Sequence, residues 1–300
     1  MLEQHRSIRD ARFAGLGLRS SYGEHVAECD DFGSSSVESR VADLHAAFAD
    51  PAVAGMITAI GGYNANQLLP YLDWDLIGAN PKVFCGNSDI TALQNAMLTR
   101  ADLVTYTGPH WSAFGMRDYF ERTLDGFVAC LFRKDPIALE PSPVWTDDAW
   151  YLDQDDRTPE PNDGWWVLHG GAARGRTVGG NLCTLNLLQG TAFMPSLADS
   201  ILLLEDDLES QPVHFDRNLT SLLQQREFKG VRGVLIGRFQ QRSNMTRDLL
   251  EQIVGTKREL AGLPVIANID FGHTSPMHTL PIGGTIELDT SVPAIRVMEH

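Results

Sequence analysis

Short apolar runs that lead into glycines alternate with helical patterns in the first half of the chain. The runs 53–60 and 82–85 are each followed by glycine, as expected of buried parallel strands that end in turns. The segment 36–49 carries apolar side chains at helical spacings, and 66–71 and 90–100 are further candidate helices. Strand, turn and helix in rotation predict an α/β domain with a mostly parallel sheet and helices on both faces. Ligands of such sheets bind beyond the carboxyl ends of the strands.

The second half of the chain has many short apolar runs with frequent glycines. These runs are 178–182, 201–204, 233–237, 264–268 and 285–288. Together with one helix near 247–260, they predict a second, strand-rich α/β domain.

Between the two halves, residues 136–169 are rich in proline and aspartate, which is typical of a linker or a long functional loop. The predicted organisation is an N-terminal domain over 1–135, this connection, and a C-terminal domain over 170–300. The connection contains tryptophans at Trp145, Trp150, Trp165 and Trp166. Packing against the domains or an oligomer contact would explain them, and so would a stacking wall for a planar ligand.

The acidic charge balance excludes one class of partner. The chain has 24 basic and 39 acidic residues, for a net charge of −15, so nucleic-acid phosphates would be repelled. No stretch approaches the ~20 apolar residues of a membrane helix, and the N-terminus is charged where a signal peptide is apolar. We therefore expect a cytoplasmic protein without a membrane partner. The four cysteines are far apart in sequence, which is typical of single thiols.

Ser88 follows an apolar run and a glycine, and it precedes a helical pattern. A nucleophile elbow has this layout, since its sharp turn lifts a hydroxyl above the sheet and aims the next amide at the reacting oxygen. The flanking residues differ from the Gly-x-Ser-x-Gly form, so an ordinary helix-capping serine is the alternative.

A serine nucleophile needs a base and a carboxylate that orients the base. Glu205 follows the apolar run 201–204, and His273 follows the run 265–272, so both are predicted where strands emerge at a sheet edge. The order Ser88, Glu205, His273 is that of a Ser…Glu…His triad. Taken singly, Glu205 could begin a solvated acidic turn, and His273 could simply close a loop.

The glycine pair at 61–62 follows the first predicted strand, and residues without Cβ let backbone amides approach a ligand closely. Its amides and that of Asp89 could form an oxyanion hole for a tetrahedral intermediate. A plain strand-to-helix turn would also explain the glycines.

Two further patterns argue against a bound cofactor or metal. The glycine-rich stretch 170–180 lacks the spacing of a nucleotide-binding loop. His273 and His278 have neither the spacing nor the nearby glutamate of a zinc helix motif. We expect neither a cofactor nor a metal, and a metal hydrolase is only a distant alternative.

Five stretches are distinctive in combination. They are 59–73, 86–93, 179–182, 203–206 and 272–277. Together they resemble the LD-carboxypeptidase and microcin C immunity family of serine peptidases. The resemblance implies an N-terminal α/β domain, a strand-rich C-terminal domain, a long connection and a cytoplasmic homodimer.

The resemblance also implies site residues and a reaction. The triad would be Ser88, Glu205 and His273, with oxyanion donors at Gly62 and Asp89. The implied reaction is hydrolysis of a C-terminal amide-like bond, without a cofactor, in a small peptide or peptide-nucleotide.

The family has two branches that differ in substrate. One cleaves processed microcin C, and the other removes the terminal D-alanine from murein tetrapeptides. The stretch 60–66 is more similar to the immunity branch, because murein enzymes more often have an arginine before the two glycines.

Two departures from the family pattern keep a non-catalytic binding protein as the rival hypothesis. Asn87 stands where the family commonly has an aromatic residue, so we expect an altered wall beside Ser88. The family's first β-strand has no counterpart here, so we expect either an internal start at Met1 or a sheet with one strand fewer. A binder of peptides or peptide-nucleotides on this scaffold would form no ester at Ser88.

Overall fold

The computed structural model describes residues 5–300. Its α-helices are α1 (Arg6–Gly15), α2 (Val37–Ala49), α3 (Trp74–Ala79), α4 (Thr91–Ala101), α5 (Glu121–Phe132), α6 (Leu182–Asn186), α7 (Pro212–Leu223) and α8 (Arg247–Gly255). Its strands are β1 (Gly55–Ile57), β2 (Val83–Gly86), β3 (Thr105–Thr107), β4 (Ile137–Ala138), β5 (Val144–Trp145), β6 (Glu160–Pro161), β7 (Trp166–His169), β8 (Ala172–Asn181), β9 (Ser200–Glu205), β10 (Gly233–Gly237), β11 (Val265–Ile269), β12 (Leu280–Ile282), β13 (Thr285–Asp289) and β14 (Ala294–Glu299). Short 3-10 helices cover Ala65–Tyr71, Ser88–Ile90, Trp111–Gly115, Arg226–Gly230, Gln241–Ser243 and Arg258–Leu260.

The first sheet has the strand order β1-β2-β3-β12. β1, β2 and β3 run parallel, and β12 pairs antiparallel with β3. The predicted runs 53–60 and 82–85 therefore contain neighbouring strands. The mostly parallel N-terminal sheet is confirmed.

The second sheet has the order β4-β14-β13-β8-β9-β10-β11-β7. Its centre, from β8 to β11, is parallel, and antiparallel strands extend it on both sides. Every residue of β9, β10 and β11 is buried. Continuous apolar runs are typical of parallel strands that are covered on both faces. The strand-rich second α/β unit is confirmed.

Some strands belong to a different sheet from the one that the predicted domain limits assign to their region. β4 and β7 lie in the predicted connection but belong to the second sheet, and β12 lies in the C-terminal region but belongs to the first. One large apolar cluster includes side chains from both sheets. The domain limits 1–135, 136–169 and 170–300 stay a prediction.

Local expectations differ from the structure where proline or glycine interrupts a pattern. The segment predicted as a helix at 66–71 is a 3-10 helix that contains Pro70, which has no N–H to donate. The helix predicted near 247–260 is divided, because α8 ends at Gly255 and a short 3-10 turn follows. α5 and α7 were not predicted.

The tryptophans of the connection pack against the protein. Trp165 and Trp166 contact the large apolar cluster, and Trp150 contacts a smaller aromatic cluster. The guanidinium of Arg238 lies 5.3 Å from the ring centre of Trp145. These contacts are the ones that the packing explanation predicts.

Across residues 5–300, no helix combines the length and the apolar character that a bilayer crossing requires. The four cysteines are free thiols, and Cys85 and Cys130 are buried.

Hydrogen bonds fasten α4, the helix that follows Ser88, to β8. Asn95 Nδ2 donates to the Gly179 carbonyl at 2.8 Å, and the Gly179 amide donates to Asn95 Oδ1 at 3.1 Å. The Asn181 amide donates to Thr91 Oγ1 at 2.9 Å. A Cβ on Gly180, whose φ is +127°, would lie 2.4 Å from Thr91 Oγ1, so glycine is needed for this close approach. We call these five residues the α4–β8 seam.

We expect Asn95→Leu to lower the free energy of unfolding by about 2–4 kcal/mol. The substitution keeps the side-chain size but leaves two buried backbone groups of Gly179 without partners, at about 1–3 kcal/mol each. Urea unfolding followed by circular dichroism measures the loss. Asn66→Leu is the matched control, because Asn66 is partly exposed and its side chain makes no hydrogen bond within residues 5–300. Equal losses in the two variants would contradict the importance of the seam.

Candidate active site

Ser88 lies on a tight turn between β2 and α4. The strand ends at Gly86, and Ser88 has a φ of +62°, a left-handed conformation that non-glycine residues seldom adopt. Such local strain is a feature of functional sites and of nucleophile elbows in particular. Gly61 is adjacent, since a Cβ there would lie 2.9 Å from Ser88 Cβ. The glycine after β1 therefore leaves room for the serine turn.

Glu205 and His273 are in direct contact. Glu205 is the last residue of β9 and is 1% exposed, and His273 follows β11 in the neighbouring part of the sheet. His273 Nδ1 and Glu205 Oε2 are 2.6 Å apart. Because Glu205 is buried and this close, it fixes the orientation of the imidazole.

Two glycines enclose the Glu205 side chain. A Cβ on Gly272, whose φ is +101°, would lie 2.7 Å from Glu205 Oε2. A Cβ on Gly237 would lie 2.9 Å from Glu205 Cβ. The carboxylate thus occupies a space that exists only because both positions lack side chains.

Asn87 connects the serine turn to the histidine loop. Its side chain is 4% exposed, and Nδ2 donates to the Gly272 carbonyl at 3.2 Å. The residue before Ser88 is thereby bonded to the residue before His273. The polar residue that departs from the family pattern has a structural role here.

The Ser88 hydroxyl makes no hydrogen bond to any residue in the range 5–300. Catalytic hydrogen bonds are often long before substrate binds, so this geometry does not exclude a Ser–His step. The structure joins Glu205 to His273 directly, and it joins Ser88 to them through Asn87 and Gly272. The triad role of Ser88 stays a prediction.

Opposing effects set the pKa of His273. Burial alone lowers it, but the charge and hydrogen bond of Glu205, with smaller effects from Asp207 and Asp206, raise the pKa of His273 to about 9. Burial raises the pKa of Asp206 to about 7. At neutral pH the imidazole is therefore mostly protonated, and it must lose that proton before it can act as a base.

The predicted oxyanion donors lie on the two turns beside Ser88. Gly62 is exposed, and its amide makes no hydrogen bond within the described part of the chain. The Asp89 carboxylate accepts from the Ala65 amide at 2.8 Å. A Cβ on Gly62 would lie 3.5 Å from Asp89 Oδ2, so the carboxylate holds the glycine loop against the serine turn. The role of both amides as oxyanion donors stays a prediction.

A cavity of about 340 Å³ opens beside Ser88, a size within the range of small-molecule sites. Its lining includes Ser88 and Gly62, and also Asp206, Glu209 and Arg217 from the segment after β9. The sequence reasoning missed the last three. Asp206 and Glu209 are in the acidic stretch that follows Glu205, which was a usable signal, whereas Arg217 lies on α7, which was not predicted.

His110 is a second neighbour that the sequence reasoning missed. Burial, and the positive charge of His273, lower the pKa of His110 to about 3, so its imidazole is neutral. Its Nδ1 lies 3.1 Å from Thr58 Oγ1. His110 follows β3, just beyond the carboxyl end of a parallel strand, and this position was the signal that could have identified it.

His278 and His273 have different hydrogen-bond partners. His278 Nε2 donates to the Glu140 carbonyl at 3.3 Å, and burial lowers the pKa of His278. Among residues 5–300, no group of three or more histidine, cysteine or acidic side chains is arranged to hold a metal ion.

Comparisons with known proteins agree with this architecture. Residues 4–108 match the LD-carboxypeptidase N-terminal domain, and residues 174–288 match the LD-carboxypeptidase C-terminal domain. YocD of Bacillus subtilis strain 168 is 51% identical to this chain, over 94% of this chain and 87% of its own length. Its name describes it as a carboxypeptidase by inference.

Two solved structures have the same fold. An MccF-like protein from Bacillus anthracis strain Ames superposes with a TM-score of 0.97 and 47% identity, over 99% of this chain and 92% of that one. MccF in complex with glutamyl sulfamoyl guanosine superposes with a TM-score of 0.89 and 26% identity, over 99% of this chain and 91% of that one.

We expect NMR titration of labelled histidines to give His273 a pKa near 9. Glu205→Gln should lower the pKa of His273 below 6.5, because burial then acts without the opposing carboxylate of Glu205. The folded-state pKa lies above the ordinary 6.5, so the ion pair stabilises the fold fully below about pH 6.5. That contribution is lost as the pH rises through about 9.

The control for this titration is Glu287→Gln, which removes an exposed carboxylate that accepts from Arg174 on β8. It should leave the His273 titration unchanged. A wild-type pKa at or below 6.5 would contradict the ion pair.

Proposed function

The chain belongs to the LD-carboxypeptidase family of peptidases, and from this premise we propose that it hydrolyses a C-terminal amide-like bond in a small peptide or peptide-nucleotide through Ser88, His273 and Glu205. The observation that carries the proposal is the 2.6 Å contact between His273 Nδ1 and the buried carboxylate of Glu205, in a loop bonded to the serine turn. An oriented imidazole in a loop that is hydrogen-bonded to the turn of a strained serine supports this assignment.

The proposed reaction proceeds by acyl transfer. Neutral His273 accepts the proton of the Ser88 hydroxyl through Nε2 while Oγ attacks the substrate carbonyl, and Glu205 stabilises the imidazolium that forms. The imidazolium then gives its proton to the leaving amine as the amide bond breaks. Water, deprotonated by the same imidazole, hydrolyses the ester and restores the Ser88 hydroxyl.

Two backbone amides would stabilise the tetrahedral intermediate. The Gly62 amide has no acceptor in the described chain, and the Asp89 amide is the one that directly follows the nucleophile. Amides that already lie in position do not have to rearrange when negative charge develops on the carbonyl oxygen of the substrate. The fixed glycine loop, held by the Asp89 carboxylate, is what supports this assignment.

The substrate class has two candidates. The similarity to MccF, whose solved complex contains glutamyl sulfamoyl guanosine, favours a peptide-nucleotide. The name of the family favours a murein tetrapeptide with an L,D bond. Because the tryptophans of the connection pack against the protein, they no longer add support for a stacked nucleobase.

We expect Ser88→Ala to lose at least about 1,000-fold in turnover, because no other group in the triad can form the ester. Intact-mass measurement during incubation with a murein tetrapeptide and with an aminoacyl sulfamoyl-adenosine detects both the product and an acyl adduct. Ser291→Ala, in an exposed turn, is the control and should retain full activity.

The substrate that is cleaved decides between the two candidates. Full turnover by Ser88→Ala would refute the mechanism. Tight binding by the wild type without any ester at Ser88 would favour the non-catalytic binding protein instead.

We expect kcat/KM to rise with pH until the imidazole of His273 is neutral, because only the neutral form accepts the Ser88 proton. Asp207 raises the pKa of His273, so Asp207→Asn should move the rising limb to lower pH. A pH–rate profile of both proteins measures the shift. Asp289→Asn, at the exposed end of β13, should leave the limb in place, and an unmoved limb in Asp207→Asn would contradict the electrostatic assignment.

A further inference from the structure

Among residues 5–300, Arg217 is the only lysine or arginine in the lining of the cavity beside Ser88. It lies on the second turn of α7, and its side chain is exposed. Within residues 5–300 its guanidinium makes no hydrogen bond or ion pair. Its neighbour Asp216, by contrast, is paired with Lys257. The guanidinium is therefore free to bind a group that enters the cavity.

The acidic side chains of the same cavity are already bonded within the protein. Asp206 Oδ2 accepts from Ser210 Oγ at 2.7 Å, and Glu209 Oε1 accepts from the Tyr63 hydroxyl at 3.2 Å. Asp207 Oδ1 accepts from the Glu209 amide at 2.9 Å. Their positions are fixed by these contacts, whereas that of Arg217 is not.

This charge distribution determines how an anion can enter. An oxyanion placed next to Asp207 or Glu209 would be repelled, and the chain as a whole carries a net charge of −15. Arg217 is the one place in the cavity lining where a carboxylate or phosphate-like group meets a cation, and a guanidinium can bind such a group through two parallel hydrogen bonds.

We propose that Arg217 binds an anionic group of the substrate and thereby selects substrates that carry a negative charge close to the scissile bond. The inference rests on the proposed function, since it assigns the specificity of the same cavity. The group is a carboxylate or a phosphate-like oxyanion, and it belongs either to the peptide or to the nucleotide part. Arg217 binds substrate and takes no part in the chemical step.

Binding to a Ser88→Ala background tests the inference without turnover. Calorimetry compares ligands that differ by one carboxylate: a murein tetrapeptide against its C-terminal amide, and aspartyl against asparaginyl sulfamoyl-adenosine. Arg217→Gln should weaken the member with the additional carboxylate in one pair by about tenfold or more and leave the other member of that pair within about twofold. The pair that responds identifies the source of the anion.

The matched control is Arg226→Gln, which removes an exposed arginine that does not line the cavity. It should change no affinity. Equal weakening of both members of each pair by Arg217→Gln, or no weakening in either pair, would overturn the inference.

A probe that needs no substrate separates this inference from the proposed mechanism. Inorganic phosphate and acetate, titrated into the Ser88→Ala protein, should shift the Nε–H resonance of Arg217 to saturation and leave that of Arg226 unchanged. If wild-type protein forms no ester while this shift occurs, the proposed mechanism fails and the anion site stands. If the ester forms and the Arg217 resonance does not move, the anion site is refuted and the mechanism stands.

Discussion

The α4–β8 seam is the contact on which the candidate site depends, because Ser88 follows a strand of the first sheet and the Glu205–His273 pair belongs to strands of the second. Ser88 is three residues before Thr91, whose hydroxyl accepts from the Asn181 amide. Asn181 is in turn the register partner of Glu205 in the parallel pair of β8 and β9. A short path of backbone pairing and one hydrogen bond therefore connects the serine turn to the carboxylate that orients His273. The glycines of β8 make this contact possible by admitting the helix to the strand.

The sequence predicted best those features that depend on local pattern. Buried parallel strands are continuous apolar runs, so β2, β9, β10 and β11 were predicted from such runs in the sequence. The residues at the ends of these strands indicated the site. The features that were missed depend on partners far along the chain. β8 begins before its apolar portion, and nothing in the residues of β12 indicates that it pairs with β3. α7 was missed too, and with it the cation of the cavity.

The charges of the site serve two opposed needs. The acidic groups after β9 hold His273 in place and favour its protonated form, whereas a general base must be neutral. His110 interacts with His273 but is itself neutral, so it donates no second titrating proton to the site near neutral pH. The same acidic groups disfavour an anionic substrate group placed next to them, whereas Arg217 on α7 offers a cation in the same cavity lining. One short segment, from Glu205 to Arg217, thus affects both the basicity of the site and the charge of the molecules that can occupy it.

The path of the chain on either side of His273 has a consequence for the order of assembly. β11, before the histidine, belongs to the second sheet, and β12, after it, completes the first. A ribosome must translate beyond Ile282 before the first sheet can gain β12. The serine turn, although encoded early, therefore meets His273 and the strand that completes its own sheet only after both sheets have largely been translated.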